Sequence, residues 1–242
     1  MKEANAVEAM AGIRRQRRIP ERGNMPVDGG GVVGHAMSEY ERLVGSAGWR
    51  RLAGDIRQRF SEKPTPGQPI CYSGIMHAVQ CSRTGLLLAQ LCSLIGTPFA
   101  PHRGTDVPVL ISLRHSARAD SVVWDREYRY PRRAAVLVRS TKVSTADGLL
   151  ECVGCGFGMQ LAVFEADREL HFLSQRYFWR IGGWTLWLPH LLSPGTAHVI
   201  HADLGGGRFR FTMSIRHPLL GSVFYQEGVF MREGAVSGNP AP

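Results

Sequence analysis

Segments that alternate between apolar and polar residues follow one another from about residue 70 to residue 232, separated by short connections rich in glycine, aspartate and proline. That spacing constrains the chain more than any motif in it. Arg208–His217 is the clearest segment: Phe209, Phe211, Met213 and Ile215 fall on one face, and Arg208, Arg210, Thr212, Ser214 and Arg216 on the other. This is the period of a half-buried strand. Val107, Val109, Ile111 and Leu113 repeat it. Strands are predicted over 71–81, 107–114, 121–130, 135–143, 157–166, 169–179, 196–203, 208–216 and 222–232. Connections such as Ala146-Asp147-Gly148, Ala166-Asp167-Arg168 and Gly205-Gly206-Gly207 are too short for parallel crossovers, so neighbouring strands pair antiparallel.

The expected fold is mainly β (α+β): a curved antiparallel sheet or calycin-like barrel of about eight or nine strands, since that many strands curl or close. An N-terminal helix precedes it. Over 39–60, Trp49, Leu52, Ile56 and Phe60 recur at helical spacing, with Tyr40, Leu43 and Val44 one step earlier and Gly45 and Gly48 dividing two pieces. Pro64, Pro66 and Pro69 end the helical stretch. The leucine-rich run 85–95 is predicted as one short buried helix.

A length of 242 residues with 44% hydrophobic residues suits a globular chain able to bury a core without staples. Residues 39–232 are expected to form a single antiparallel β domain. Residues 1–38, with Arg14-Arg15-Gln16-Arg17-Arg18 and Gly29-Gly30-Gly31, read as a flexible basic tail, and 233–242 as a disordered C-terminal tail. Met25 and Met37 are alternative starts. The longest apolar run is too short and too interrupted for a transmembrane segment, and no secretory leader is visible. Five scattered cysteines fit reduced thiols in the cytoplasm. The net charge of +9 invites a nucleic-acid or anionic-membrane partner, but the arginines are dispersed, which argues against nucleic acid and for solvated strand faces.

No motif commits the chain to a metal, a cofactor or a reaction. Cys152 and Cys155 have zinc or redox spacing, yet residues three apart on a strand face opposite ways and no second pair accompanies them. His198 and His201 are split by the same parity, while His201 and Asp203 share a face. No P-loop, GxSxG elbow or HExxH is present. Two candidate sites remain. In the closing hairpin around His217-Pro218-Leu219-Leu220-Gly221, His217 ends an apolar stripe and Tyr225 and Glu227 share a face. If that face points inward, Glu227, Tyr225 or His217 are candidates for proton transfer in an isomerase, cyclase or hydrolase. The second site is an aromatic cavity with arginines near its mouth, for which Trp124, Arg126, Tyr128, Arg139, Arg176 and Phe178 are the ligand-binding candidates. Its partner is a small apolar or amphipathic ligand, with an anionic head group favoured. A basic membrane-surface or nucleic-acid module is the third reading.

Tyr40-Glu41-Arg42-Leu43-Val44-Gly45, Tyr72-x-Gly74-x-Met76, Gly104-x-Asp106-Val107-Pro108-Val109, Trp124-x-Arg126, Gly156-x-Gly158-Met159-x-Leu161, and His217-Pro218-Leu219-Leu220-Gly221 followed by Tyr225-Gln226-Glu227-Gly228 together resemble a bacterial family numbered 4166 among the domains of unknown function. The resemblance spans about residues 38–231. It implies no catalytic residue and no cofactor. Chains of similar sequence stand alone or beside a nucleotide-binding reductase-like domain, so the resemblance implies a possible reductase-like partner and a place near small-molecule or lipid metabolism.

Overall fold

The computed structural model describes residues 37–87, 102–117 and 121–234. Eleven strands follow three short helices: α1 (Glu39–Val44), α2 (Ser46–Arg51) and α3 (Gly54–Ser61), then β1 (Ile70–Cys81), β2 (Gly104–His115), β3 (Ser121–Tyr128), β4 (Val136–Thr145), β5 (Gly148–Cys152), β6 (Phe157–Ala166), β7 (Glu169–Ile181), β8 (Trp184–Leu188), β9 (Thr196–Gly205), β10 (Arg208–His217) and β11 (Gly221–Arg232). Every pairing is antiparallel, and β6 also pairs with β7, so ten strands close into a barrel with β8 attached outside the ring. The helical stretch is three pieces. Gly45, at φ 82°, separates the first two, and extended Leu52 and Ala53 separate the second from the third.

Tight turns carry the strand-to-strand twist. Asp167 and Arg168 (φ 52° and 64°), Gly182 and Gly183 (52° and 90°) and Gly206 and Gly207 (62° and 72°) each form a two-residue connection with both residues left-handed. That is the geometry whose twist matches paired strands. The five-residue strands β5 and β8 were not among the predicted strands: each is the short arm of a hairpin with a two-residue connection, too brief to display a period.

The apolar face of the ring strands points inward. On β10, Phe209, Phe211 and Ile215 are buried, as the alternation predicts. The register sets the face of β11: Phe211 pairs with Gly228 and Phe209 with Phe230, so Phe224, Gln226, Gly228 and Phe230 face the interior. Gly74 and Gly228 allow β1 and β11 to approach closely there. A Cβ on Gly228 would lie 2.5 Å from the Ile75 carbonyl oxygen and 2.8 Å from Met76 Cα.

The helices close one end of the barrel. Trp49, Leu52, Ile56 and Phe60 pack with Leu149, Leu161, Leu170 and Phe172 in one buried cluster. The Ala53 N–H donates to the Arg168 carbonyl in the β6–β7 turn (3.2 Å), and Arg51 pairs with Glu165 at 2.6 Å. Residues 83–87 are helical, the visible part of the helix predicted over 85–95; the rest of that prediction, and nearly all of the two predicted tails, lie outside the described residues. Gly228→Ala is expected to destabilise the domain by about 2–3 kcal/mol, because the obstacle is backbone and cannot swing away. Urea denaturation followed by far-UV circular dichroism measures it; an unchanged midpoint would refute the close-approach account.

Candidate functional site

The interior is not filled by side chains. A cavity of about 200 Å³ extends from α1 and α3 to the loop around Leu192 and Pro194. Most of its wall is apolar: Met76, Val109, Ile111 and Leu113 from β1 and β2, Met159 and Phe172 from β6 and β7, and Phe211 and Met213 from β10.

Charge is concentrated near the helix-capped end. The β3–β4 register sets Val122 opposite Lys142 and Trp124 opposite Ser140, and β4–β5 sets Lys142 opposite Glu151. Those side chains therefore meet on the inner face. Glu151 accepts from Ser140 Oγ at 2.6 Å, Lys142 Nζ at 3.1 Å and Arg126 Nη2 at 3.3 Å. Lys142 Nζ also lies 4.8 Å from the centre of the Trp124 ring. Across the cavity, Arg59 of α3 lays its guanidinium 3.7 Å over Phe209. Beside it, His201 of β9 is ringed by Phe60, Phe172, Phe209 and Phe211 at 5.1–5.9 Å between ring centres.

Two features of this group are unusual for an interior. At the rim, Lys63 pairs with Glu39 and Arg232 with Glu62. That leaves Arg59, Arg126 and Lys142 facing one carboxylate, Glu151, among the described residues lining the cavity. In addition, Nε and Nη2 of Arg59, Nε1 of Trp124 and Nδ1 of His201 are buried without a hydrogen-bond partner. Buried polar atoms are normally satisfied, and leaving them bare is unfavourable by about 1–3 kcal/mol each.

The titration behaviour follows from burial. Burial lowers Arg59 to about 10, which leaves it charged at neutral pH. Burial, then the charges of Arg59, Lys142 and Arg126, push His201 well below its usual value, so its ring is neutral. Burial also lowers Lys142, outweighing the pull of Glu151. For Glu151 burial acts upward, but the Lys142 and Arg126 charges and the bonds from Ser140 and Lys142 prevail and bring it to about 2.

Of the residues singled out from sequence, Trp124, Arg126 and Tyr128 line the cavity, and Tyr128 donates to Gln226 Oε1 at 3.0 Å. Arg139 does not; it lies on the outer face of β4, bonded to Asp125 at 2.6 Å. Arg176 is exposed over the Trp187 ring, and Phe178 packs beneath Trp187 on the outside of the barrel. Nor do the proton-transfer candidates converge. Tyr225 and Glu227 face outward, with the Tyr225 hydroxyl donating to Glu227 Oε2 at 3.0 Å, because the β10–β11 register turns their side of β11 away from the interior. His217 lies at the far end of the inner face. Its Nδ1 accepts from the N–H groups of Leu219 and Leu220, and its Nε2 lies 3.3 Å from the Leu191 carbonyl oxygen.

Residues 52–230 match the family described as Domain of unknown function (DUF4166). The chain belongs to the DUF4166 family. No curated protein and no solved structure matches it. The structure gives two of the motifs behind the resemblance a physical role: in this DUF4166 chain Gly74 and Gly228 admit close backbone contact, and His217 pins two turns together. Arg59, Lys142 and Glu151 were not among the candidates read from sequence; His201, noted there only for sharing a face with Asp203, is buried in the barrel and not at the surface. Lys142 had a signal, since it continues the parity of Val136 and Val138. Glu151 sits on a strand that was not predicted.

Glu151→Gln removes the carboxylate bonded to the buried Lys142 and Arg126, so it is expected to destabilise the DUF4166 domain by about 3 kcal/mol at neutral pH. A carboxyl lowered from 4.5 to about 2 in the folded state contributes its full stability above pH 4.5 and loses it as the pH falls towards 2. The gap between wild type and variant should therefore narrow over that window. Thermal unfolding across the acid range measures it, and a gap that stays constant would contradict the assignment.

Proposed function

We propose that this DUF4166 protein binds a small amphipathic molecule in the barrel cavity, with its apolar body against the strands and an anionic head group at Arg59, His201 and Lys142. The observation that carries the reading is the set of buried, unpartnered nitrogens on Arg59, Trp124 and His201 beside a surplus of positive charge. A carboxylate or phosphate supplies acceptors for the N–H groups left bare and balances the charge that Glu151 leaves uncompensated. Charge-assisted bonds of this kind are the stronger class, and they gain from a dry setting. A neutral His201 completes the head-group site with a nitrogen whose tautomer adapts to the ligand. The apolar wall suits an alkyl or alicyclic body, the usual division of labour in a ligand pocket.

Decanoate and decanol separate head-group recognition from simple hydrophobic burial. By isothermal titration calorimetry, decanoate is expected to bind at least about tenfold more tightly than decanol, the effect of one or two charge-assisted hydrogen bonds. Arg59→Met should erase most of that preference while leaving decanol unaffected. Native mass spectrometry of the freshly purified protein is expected to detect a bound acidic molecule. Equal affinity for acid and alcohol would remove the head-group site, and the absence of binding by either would remove the cavity reading.

A further inference from the structure

The end of the barrel opposite the helices exposes apolar side chains that the cavity does not explain. Trp184 is 83% exposed, Leu192 and Leu219 75%, and Leu191 60%, with Leu186 and Leu220 about half exposed. They come from three short structures at one end: the β7–β8 hairpin, the single helical turn His190–Leu192, and the β10–β11 turn. These structures are tied together. His217 bridges Leu191 to Leu219 and Leu220, and the Tyr177 hydroxyl donates to the Gly195 carbonyl at 2.8 Å. The patch is also continuous with the cavity, whose wall includes Tyr177, Leu188 and Leu192.

The chain segments that carry the patch hold charges of one sign. From Leu170 to Ala202, and again from Leu204 to Gln226, the chain contains neither aspartate nor glutamate. Arg176, Arg180 and Arg216 lie at this end; Arg176 and Arg216 are exposed, and Arg176 sits 4.1 Å over the exposed Trp187 ring. Protruding tryptophan and leucine at turn tips, with arginine set behind them and no acidic residue in the chain segments that carry them, match a bilayer interface. There aromatic and aliphatic tips enter the headgroup boundary and basic side chains meet anionic lipid.

The geometry points to this end of the barrel as a docking surface for an anionic membrane, which holds the cavity mouth against the lipid. The bilayer is the occupant that the charge pattern selects. A second copy of this chain would bring the same basic end against itself and repel. The docked protein lies on the membrane and does not cross it, because the apolar side of its strands faces inward, the reverse of a membrane-spanning barrel. The surface is separate from the head-group site proposed above, and the two are tested by different variants.

Co-sedimentation of the full chain with vesicles tests the proposal, using phosphatidylcholine alone and roughly three parts phosphatidylcholine to one part phosphatidylglycerol. The expected result is binding to the anionic vesicles that weakens with salt, accompanied by a blue shift in tryptophan emission. Trp184→Ser with Leu191→Ser, and Leu219→Ser with Leu220→Ser, should each reduce partitioning at least about tenfold, since each pair withdraws apolar area from the interface. These side chains are exposed and do not line the cavity, so decanoate titration of the same variants reports whether the barrel and its ligand site are intact. Vesicle binding that survives both double variants would overturn the proposal, as would no binding by the wild type. Sedimentation velocity giving a wild-type dimer that the variants convert to monomer would assign the surface to a second copy instead.

Discussion

Closure of the sheet through the β6–β7 pairing is the constraint on which the rest of the molecule depends. Without it the strands form a long open ribbon with two unpaired edges, and the period-two alternation has no common interior to face. With it, every inward residue from β1 to β11 converges on one axis, and Leu161 and Phe172 from the two strands flanking the seam join the cluster that seats α2 and α3. The helices in turn deliver Arg59 to the cavity. The site is therefore a product of closure and not of any single strand.

A barrel of ten strands is wider than its side chains fill, and this chain uses the excess in two ways. Along most of the wall, aromatic and branched residues narrow the space to a small apolar volume. Near the helices it places Glu151 among cations, an arrangement favourable only because the carboxylate has three hydrogen-bond donors around it. Polar groups placed there without partners are a liability for folding, so their presence points to a task other than stability.

The strand-bearing plan was legible because alternation is a local property: β10 and β2 display their faces without reference to their neighbours. The site was less so, for two physical reasons. The direction in which a strand's two faces point depends on register, and Tyr225 and Glu227 were set outward by the pairing of Phe211 with Gly228, a long-range fact. Phe224, Gln226, Gly228 and Phe230 hold the inward set, and the two phenylalanines were its only visible sign. The second reason is distance along the chain. Arg59, Lys142 and His201 lie on separate elements, each ordinary in its own neighbourhood, and only closure makes them neighbours. Trp124, Arg126 and Tyr128 were found because three residues on one strand share a face whatever the rest of the chain does.

The seam between β7 and β9 is paired over only part of its length. The first half of β7 pairs with β9 from Leu170 to Leu173, and its second half turns to β8 from Tyr177 to Ile181. Between β7 and β9 the ladder therefore stops, and beyond it two bonds continue the connection: the Ala197 N–H donating to Ser174 Oγ at 2.8 Å, and the Tyr177 hydroxyl to the Gly195 carbonyl. A wall held by continuous backbone pairing is stiff, whereas one held by two side-chain links yields first. The wall is therefore less continuously paired here than along the long β1–β2, β1–β11 and β10–β11 ladders, on the side of the cavity that carries the exposed β8 hairpin.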